Sequence, residues 1–463
     1  MRRFFLATIT LCSLASSVAL AQTSAPAPTS FPPDSTIRAR LAQRVDNGYT
    51  ASIVVGMLEH GKERYVSYGR SNFGETPLVG PDAIYEIGSI TKVFTNILLA
   101  DMVLKKEVAL DDPVSKYLPS TVTVPSRNGK VITLLDLATQ SSGLPGMPLN
   151  FHPKDPTNPY ADYTVAQMYE FLSSYTLPRD PGQTYEYSNL GMGLLGHALA
   201  LRAGKPYEQL LIERVLSPLG MRDTRITLTP DMARRFVTGH DGDLEPVPAW
   251  DLPTLAGAGA LRSSARDMMK FARAVTGAMS GEGPLAKAIA LSIEPRRPTT
   301  IPGMRIGLAW HVREKNGERI TWHNGGTGGF RTFFGVDNAS RNAVVVLTSG
   351  GETSDELGFT LLDPSLPVRV VTARPTVSVP TATLQSYVGS YPLAPTFVID
   401  ITLEGDKLFA KATNQPRFRL WASSDHEFYL RVVPAKVVFE KDSAGVMTLT
   451  LDQNGAKRRA SKQ

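Results

Sequence analysis

The sequence predicts an α+β protein in which helices flank one antiparallel sheet and a small all-β domain follows. Three observations predict this class. Strand patterns occur near the N-terminus and again from about residue 304 to 349, whereas residues 90–279 are rich in helical patterns. Because strands at both ends of a region can pair, the N-terminal hairpin should complete the sheet. After residue 380 the chain changes to short, regularly spaced strands, typical of a barrel or sandwich.

The first 21 residues have the pattern of an export signal. Arg2 and Arg3 precede an apolar stretch, and residues 19–21 (Ala-Leu-Ala) supply a cleavage site. Residues 22–34 form a Pro-rich spacer that cannot pack. We therefore expect residues 1–21 to be removed, leaving a periplasmic or extracellular protein without stable membrane insertion; a retained membrane anchor is the alternative.

Composition narrows the chemistry. The 463 residues include 49 Lys and Arg against 43 Asp and Glu, and the basic excess at residues 457–462 fits a solvated terminus better than a nucleic-acid surface. The single cysteine, Cys12, lies in the export signal, so a mature chain would have neither a disulfide nor a thiol nucleophile. The histidines show no metal-ligand spacing, and the sequence implies neither a metal nor a cofactor.

Local signals predict the first elements in order. An amphipathic pattern predicts a short helix near residues 35–45, and a hairpin over 51–70 turns through His-Gly-Lys at 60–62. In the helix-rich middle, Thr133 predicts the start of one helix. Ser264, with Asp267 three residues later, predicts a capped start for another.

Strand signals return in RIGLAWHVRE, ERITWHN, FRTFFGV and NAVVVLTS. Residues 364–380 are rich in Pro, Val and Thr without a period, and they predict a linker between a domain over 35–363 and an all-β domain over 381–463. LQSYVGSYPL is predicted as the first strand of that second domain, which we expect to affect substrate access more than chemistry.

Ser89 and Lys92 form the first candidate site, in YEIGSITK before the apolar VFTNILLADMVL. At a helix N-terminus a serine lies near free backbone N–H groups, and a lysine three residues later shares its face. The amine could then take the hydroxyl proton, and burial would lower its pKa and make it a better base. Taken alone, S-x-x-K equally fits a capping serine and a solvated lysine.

Tyr187 and Asn189 form the second candidate site, before the helical pattern LGMGLLGHALAL. A phenol is a poor base unless a cation lies beside it, which Lys92 could provide, and an amide can both donate to and accept from a substrate. The third candidate is His323 with Gly325 and Gly326, where glycines would let a substrate approach a strand edge. Alone, these fit a buried tyrosine and a glycine-rich bend.

Together the three motifs resemble the serine β-lactamase and penicillin-binding-protein superfamily, most closely the class C β-lactamases and related peptidases and esterases (peptidase S12-like). The resemblance covers about residues 35–360, and a lipocalin-like barrel is a weaker resemblance of the C-terminal region. The segments that carry it are YEIGSITKVFT, LDDPVSKYLP, ITLLDLATQSSGLP, YEYSNLGMGLLG, LSPLGMRDT, AGAGALRSSARDMMKF and HNGGTGGFRTFFG.

The resemblance implies that Ser89 is the nucleophile, Lys92 its activating amine and Tyr187 the general base. Asn189 would contact the substrate amide, and the N–H groups of Ser89 and Gly326 would form the oxyanion hole. His323 stands where β-lactamases have a lysine, and we expect it to become charged between pH 8 and pH 6 and then to attract a substrate carboxylate. The alternative is a neutral His323 that only hydrogen-bonds Tyr187 or Ser89. Gln140 stands where many relatives have histidine or tyrosine, and the resemblance implies no role for it.

The function that these motifs imply is hydrolysis of β-lactams or of D-Ala-D-Ala-type peptides through a serine acyl-enzyme. Its partner would be a small molecule or a peptidoglycan peptide. His323 in place of lysine leaves a small-ester carboxylesterase as the alternative. A penicillin sensor that acylates without turnover is a third hypothesis. The sequence does not rank lactam against peptide.

Overall fold

The computed structural model describes residues 31–71, 78–278, 281–315, 317–351, 354–369, 371–372, 376–415, 417–431, 433–453 and 455–463. The predicted export signal, 1–21, and most of the predicted spacer, 22–34, lie outside the described residues. Within the described ranges, no helix combines the length and the apolarity needed to cross a membrane.

The first region of the described chain alternates strands and helices. Its strands are β1 (Ser52–Glu59), β2 (Lys62–Gly69), β3 (Ile84–Glu86), β4 (Ser126–Arg127), β5 (Lys130–Val131), β6 (Gly239–His240), β7 (Pro246–Val247), β8 (Arg262–Ser264), β9 (Arg297–Pro298), β10 (Met304–Ile306), β11 (His311–Lys315), β12 (Glu318–Gly326), β13 (Phe330–Asp337) and β14 (Ala343–Ser349). Its helices are α1 (Asp34–Asp46), α2 (Thr91–Leu104), α3 (Leu134–Ala138), α4 (Val165–Ser174), α5 (Asn189–Ala203), α6 (Tyr207–Leu211), α7 (Pro230–Arg235), α8 (Ala256–Gly259), α9 (Ala265–Ala278), α10 (Pro284–Ile293) and α11 (Asp355–Leu362). Short non-α turns, Gly88–Ile90, Val114–Tyr117 and Ile212–Leu216, connect some of these helices.

An antiparallel eight-stranded sheet organises this region, in the order β2-β1-β14-β13-β12-β11-β10-β9. The N-terminal hairpin joins it because β1 pairs with β14, with Val54 opposite Leu347. The predicted α+β class and the predicted completion of the sheet by the N-terminal hairpin are therefore confirmed.

Alternation along β1 explains why the sheet is covered on both faces. Ile53, Val55 and Met57 pack under α1 and α11, whereas Val54 and Leu58 belong to the larger core beneath the helical middle. Helix α9 packs directly on β1 and β14 within that larger core. The sheet is thus the central layer between two layers of helices.

The predicted helix starts are also confirmed. Thr133 and Asp136 form a capping box at α3, in which the Thr133 hydroxyl accepts from Asp136 N (3.1 Å). At α9 the hydroxyl of Ser264 accepts from Asp267 N (3.1 Å). These caps satisfy backbone donors that a helix start leaves without an intrahelical partner.

The C-terminal region forms its own core around Tyr391, Phe428 and Phe439. Its elements are α12 (Thr381–Tyr387), β15 (Gly389–Ala394), β16 (Phe397–Glu404), β17 (Lys407–Ala412), β18 (Arg417–Ala422), β19 (Glu427–Tyr429), β20 (Ala435–Lys441), β21 (Met447–Gln453) and β22 (Ala456–Ser461). The strands pair in chain order, and Gln463 N donates to Ser390 O (2.9 Å) across the ends, so the sheet is nearly a closed barrel, as predicted.

One strand boundary in this region was predicted wrongly. LQSYVGSYPL does not begin as a strand, because residues 384–387 complete helix α12. Leu384 and Tyr387 are both buried on one face of that helix, a three-residue spacing that a strand would split between two faces. Within the predicted linker 364–380, Val377 N donates to Ala422 O (3.0 Å), so its last residues already pack on the barrel.

Candidate active site

Ser89 lies in a tight turn between a short strand and a long helix. Strand β3 ends at Glu86, Gly88–Ile90 form a 3₁₀ turn, and α2 follows. Gly88 has a φ of +50°, and a Cβ there would lie 2.7 Å from Gly326 N. Only glycine fits both the left-handed backbone and this close approach. The turn that carries Ser89 therefore lies directly against the end of β12.

Gly325 strengthens the same contact from the strand side. A Cβ on Gly325 would lie 2.0 Å from Ile87 O and 2.4 Å from Thr332 Oγ1, while that hydroxyl donates to Ile87 O (3.0 Å). The two sequence-predicted glycines, Gly325 and Gly326, are therefore brought beside the turn that carries Ser89. Gly326 is exposed, which leaves its backbone accessible from the solvent side.

Lys92 is fully buried, and its amine contacts three oxygen atoms. Nζ lies 2.8 Å from Ser89 Oγ, 2.8 Å from Asn189 Oδ1 and 2.6 Å from Ala258 O. All three partners are neutral, and burial lowers the pKa of Lys92 well below its ordinary value. The sequence-based expectation of a buried Lys92 with a lowered pKa is met.

A neutral Lys92 has only one sensible hydrogen-bonding arrangement. Its two N–H bonds must face the carbonyl oxygens of Asn189 and Ala258, because a carbonyl oxygen can only accept. The nitrogen lone pair then faces the hydroxyl of Ser89. The arrangement prepares the amine to accept the proton of that hydroxyl.

Tyr187 lies on the other side of the Lys92 amine, whose Nζ is 4.8 Å from the centre of the tyrosine ring. Burial raises the pKa of Tyr187, and a hydrogen bond with Ser89 opposes that shift only in part. The expectation that a cation would lower the pKa of this phenol is therefore wrong for the free site. Burial disfavours the charged form of Lys92 as well as that of Tyr187, so it favours a neutral amine beside a neutral phenol.

Asn189 begins helix α5, where Ser188 is the N-cap and accepts from Gly191 N (2.8 Å). The side-chain oxygen of Asn189 accepts a hydrogen bond from Lys92 Nζ. Its Nδ2 group donates a long hydrogen bond, 3.4 Å, to Tyr160 OH. Gln140, to which the sequence assigned no role, holds this loop because Oε1 accepts from Ser188 N (2.8 Å). The only sequence signal for this role was that Gln140 lies in LATQSSGLP, one of the segments that resemble the family.

His323 lies on β12 and is only 1% exposed. Its Nδ1 contacts Asn324 O at 2.6 Å, so Nδ1 carries the proton and Nε2 is an acceptor. Burial first, and then neighbouring His311 and Lys92, lower the pKa of His323 well below its ordinary value. The expectation of a histidine that becomes charged between pH 8 and pH 6 is therefore wrong, since burial and two basic neighbours oppose the charge.

Aromatic side chains that the sequence did not single out stand beside Asn189. The rings of Tyr160 and Trp250 lie 5.2 Å apart, and Phe151 packs on Tyr160 at 5.2 Å. Trp250 N donates to the buried carboxylate of Glu86 (2.8 Å), three residues before the candidate nucleophile. These side chains come from separate loops, so their only sequence signal was aromatic residues outside any helix or strand pattern.

The described residues contain no cluster of three or more His, Cys, Asp or Glu side chains that could hold a metal ion.

The chain matches the family model Beta-lactamase over residues 37–362, and a domain of unknown function (DUF3471) over 373–461. It is 31% identical over 322 residues to the D-alanyl-D-alanine-carboxypeptidase/endopeptidase AmpH of Escherichia coli K12, covering 67% of this chain and 82% of that protein. A β-lactamase of Pseudomonas fluorescens is 30% identical, covering 57% of this chain and 69% of that protein.

Solved structures are similar in fold. A β-lactamase/D-alanine carboxypeptidase of Pseudomonas syringae aligns with a TM-score of 0.62 at 20% identity, covering 72% of this chain and 99% of that chain. A class C β-lactamase of Rhodobacter sphaeroides aligns with a TM-score of 0.59 at 24% identity, covering 69% and 95%. At these identities the likeness concerns the fold.

Proposed function

The chain belongs to the beta-lactamase family and is a serine hydrolase, and we propose that it hydrolyses β-lactams or peptides ending in D-Ala-D-Ala through an acyl-enzyme on Ser89. The observation that carries this proposal is the 2.8 Å contact between Ser89 Oγ and the amine of Lys92, a buried side chain whose pKa is lowered well below its ordinary value by that burial. A hydroxyl in contact with a neutral amine is the activated nucleophile that acyl transfer requires.

In the acylation step, the Lys92 lone pair takes the hydroxyl proton while Ser89 Oγ attacks the substrate carbonyl carbon. The carbonyl π electrons move to oxygen, and the backbone N–H groups of Ser89 and Gly326 would hold this oxyanion. The close packing of Gly88 against Gly326 supports that pairing, because it brings the two backbone segments together. Gly325 allows the same approach from the strand.

The leaving nitrogen needs a proton when the C–N bond breaks. Tyr187 is a neutral phenol hydrogen-bonded to Ser89, so it can donate its proton to that nitrogen and recover one from Lys92. In deacylation the same groups work in reverse: Tyr187 and Lys92 remove a proton from water, which attacks the ester carbonyl, and Ser89 leaves as the hydroxyl. Asn189 would donate Nδ2–H to the carbonyl oxygen of the substrate amide, because that group makes only a long hydrogen bond, 3.4 Å, to Tyr160 OH.

The proposed substrate class follows the relatives, one of which is named a carboxypeptidase/endopeptidase and another a β-lactamase. Export to the compartment that holds peptidoglycan is part of the proposal, and it depends on residues 1–21, outside the described chain. We also propose that the C-terminal barrel affects the access of the substrate to the active site rather than the chemical steps.

A small-ester hydrolase is the second candidate, and the state of His323 favours it. Because Nδ1–H donates to Asn324 O, Nε2 is an acceptor and provides neither a donor nor a positive charge for a carboxylate. A substrate carboxylate would gain no charge attraction from this side chain, whereas a neutral ester would lose nothing. We propose that His323 is a neutral hydrogen-bond acceptor at the substrate-binding site.

A panel of four substrates tests the proposal: a fluorescent penicillin, a chromogenic cephalosporin, a D-Ala-D-Ala peptide and a p-nitrophenyl ester. Turnover of lactam or peptide supports the first candidate, and turnover of the ester alone supports the second. Stable labelling without turnover indicates a sensor. Ser89→Ala should abolish every activity and the label, and a mutant still acylated on another serine would refute the assignment of Ser89.

A further inference from the structure

A small hairpin connects the C-terminal barrel to the active site. Strands β6 and β7 pair through Gly239–Val247 and His240–Pro246, and the residues between them form its tip. Asp241 holds that tip, because its Oδ1 accepts from Asp243 N (2.9 Å) and Glu245 N (3.0 Å). The hairpin is therefore a defined structure that can transmit position from its tip to its base.

The base of the hairpin packs against the segment that follows the candidate oxyanion strand. His240 N donates to Gly329 O (3.2 Å), and a Cβ on Gly329 would lie 2.5 Å from Gly239 Cα. One residue earlier, a Cβ on Gly328 would lie 2.7 Å from Trp250 Nε1. Since Gly326 is two residues before Gly328, a shift of the hairpin would move both the end of β12 and the tryptophan wall.

The tip of the hairpin is bound by the barrel. Trp421 Nε1 and Arg419 N donate to the two carboxylate oxygens of Asp243 (2.9 and 3.1 Å). Lys407 Nζ and Arg419 Nη1 donate to Glu245 Oε1, each at 2.7 Å. These two cations lower the pKa of Glu245 against the effect of its burial. An acidic tip thus meets a basic barrel face.

Trp421 is held in place on that basic surface of the barrel by two arginine side chains. The guanidinium of Arg419 lies 3.7 Å and that of Arg431 lies 3.4 Å from the centre of its ring. Arg431 also approaches the turn after α1, where its Nη2 would lie 2.6 Å from a Cβ on Gly48. Because the indole is held by two cations, its N–H is pre-positioned to bind Asp243.

We infer that the barrel is a positioning part of the active site: through Trp421 and Lys407 it fixes the β6–β7 hairpin, and the hairpin sets the Gly326–Gly329 edge along which an extended substrate binds. This inference rests on the proposed function for its substrate. It makes Trp421 and Asp243 specificity-determining residues that touch neither substrate nor Ser89. A small ester, which needs only the nucleophile and the oxyanion hole, is independent of them.

The test compares Trp421→Phe, Asp243→Ala and the double variant on two substrates, an N-acylated peptide ending in D-Ala-D-Ala and p-nitrophenyl acetate. Trp421→Phe keeps an aromatic ring for the two arginines and removes the N–H donor together with the pyrrole part of the indole. We expect kcat/KM for the peptide to fall about three- to tenfold, the range that one net hydrogen bond supplies, with the ester changed by less than about twofold. Adding Trp421→Phe to Asp243→Ala should cost nothing further, because the acceptor is already gone.

Hydrogen exchange supplies a readout that does not depend on turnover. The amides of His240 and Gly350 both donate to Gly329 O, so they should exchange faster in Trp421→Phe if the hairpin loosens. Lys436→Gln is the control, since it breaks an ion pair with Glu427 within the barrel. It should leave rates and exchange unchanged.

Three results would overturn the inference: unchanged peptide turnover together with unchanged exchange, an equal loss on both substrates that follows the melting temperature, or the same loss in Lys436→Gln. A wild-type protein that turns over neither of these substrates nor a β-lactam would refute the proposed function instead. The exchange experiment would still decide whether the barrel holds the hairpin.

Discussion

Replacing Lys92 by methionine tests whether the amine is neutral in the folded protein. Methionine keeps the length of the apolar chain and removes the amine that contacts Ser89, Asn189 and Ala258. The oxygens of Asn189 and Ala258 then lose a donor, which costs about 1–3 kcal/mol each at every pH. Acylation should fall by roughly 10²–10⁴, the usual value of a positioned acid or base.

The pH dependence of stability carries the sharper information. In the unfolded chain Lys92 titrates near ~10.4, whereas burial lowers its folded pKa well below that. Between the two values the unfolded state binds one more proton, so the wild type gains stability as pH rises and loses it as pH falls. The gain is about 1.4 kcal/mol for each pH unit that lies between the two pKa values.

Urea unfolding of the wild type and Lys92→Met at pH 7, 8 and 9 measures this difference. The rest of the chain is identical, so other titrations cancel in the subtraction. Lys287→Met, at an exposed position on α10, is the control and should give a difference that does not change with pH. A flat difference for Lys92→Met would mean that the folded protein keeps the ammonium, which could not accept the Ser89 proton, and the proposed mechanism would fail.

Three further outcomes are expected. Tyr187→Phe should retain the fold and slow lactam or peptide turnover by roughly 10²–10⁴, and a loss below about tenfold on every substrate would remove Tyr187 from proton transfer. Gly325→Ala should destabilise by about 1–3 kcal/mol or more and reduce acylation, because its Cβ would lie 2.0 Å from Ile87 O; Gly277→Ala, with open space around it, is the matched control and should be neutral or stabilising in thermal unfolding. For His323, the ratio of kcat/KM for a carboxylate-bearing substrate to that for a neutral ester should be flat between pH 8 and pH 6, since burial lowers the pKa of His323 well below its ordinary value. A ratio that rises toward pH 6 would contradict the neutral state.

Much of the fold was predictable because its signals are local. The N-terminal hairpin alternates apolar residues on both faces, and Thr133 and Ser264 cap helices with groups three residues away. The turn around Ser89 was predictable for a related reason: a serine and a lysine three residues apart share one face wherever a helix follows.

What the sequence did not predict depends on burial and on contacts between distant segments. The histidine at 323 was expected to become charged, but burial first, and then His311 and Lys92, lower its pKa, and only the folded chain brings these groups around it. The contact of Tyr160 with Trp250 joins two loops 90 residues apart in a region without periodicity. Helix α12 was missed because a run of seven residues carries too little pattern to distinguish it from a strand.

The buried bases explain why a histidine is suited to position 323. Lys92, His311 and His323 lie in one region where burial lowers the pKa of both histidines, His311 to about 4, and where a proton on any one of the three bases opposes a proton on the others. A second lysine amine at 323 would be protonated more readily, and its charge would oppose the proton that Lys92 must accept from Ser89. A neutral imidazole that donates its proton to Asn324 O does not hinder Lys92 from accepting the proton of Ser89. A histidine at position 323 therefore favours proton transfer at Ser89.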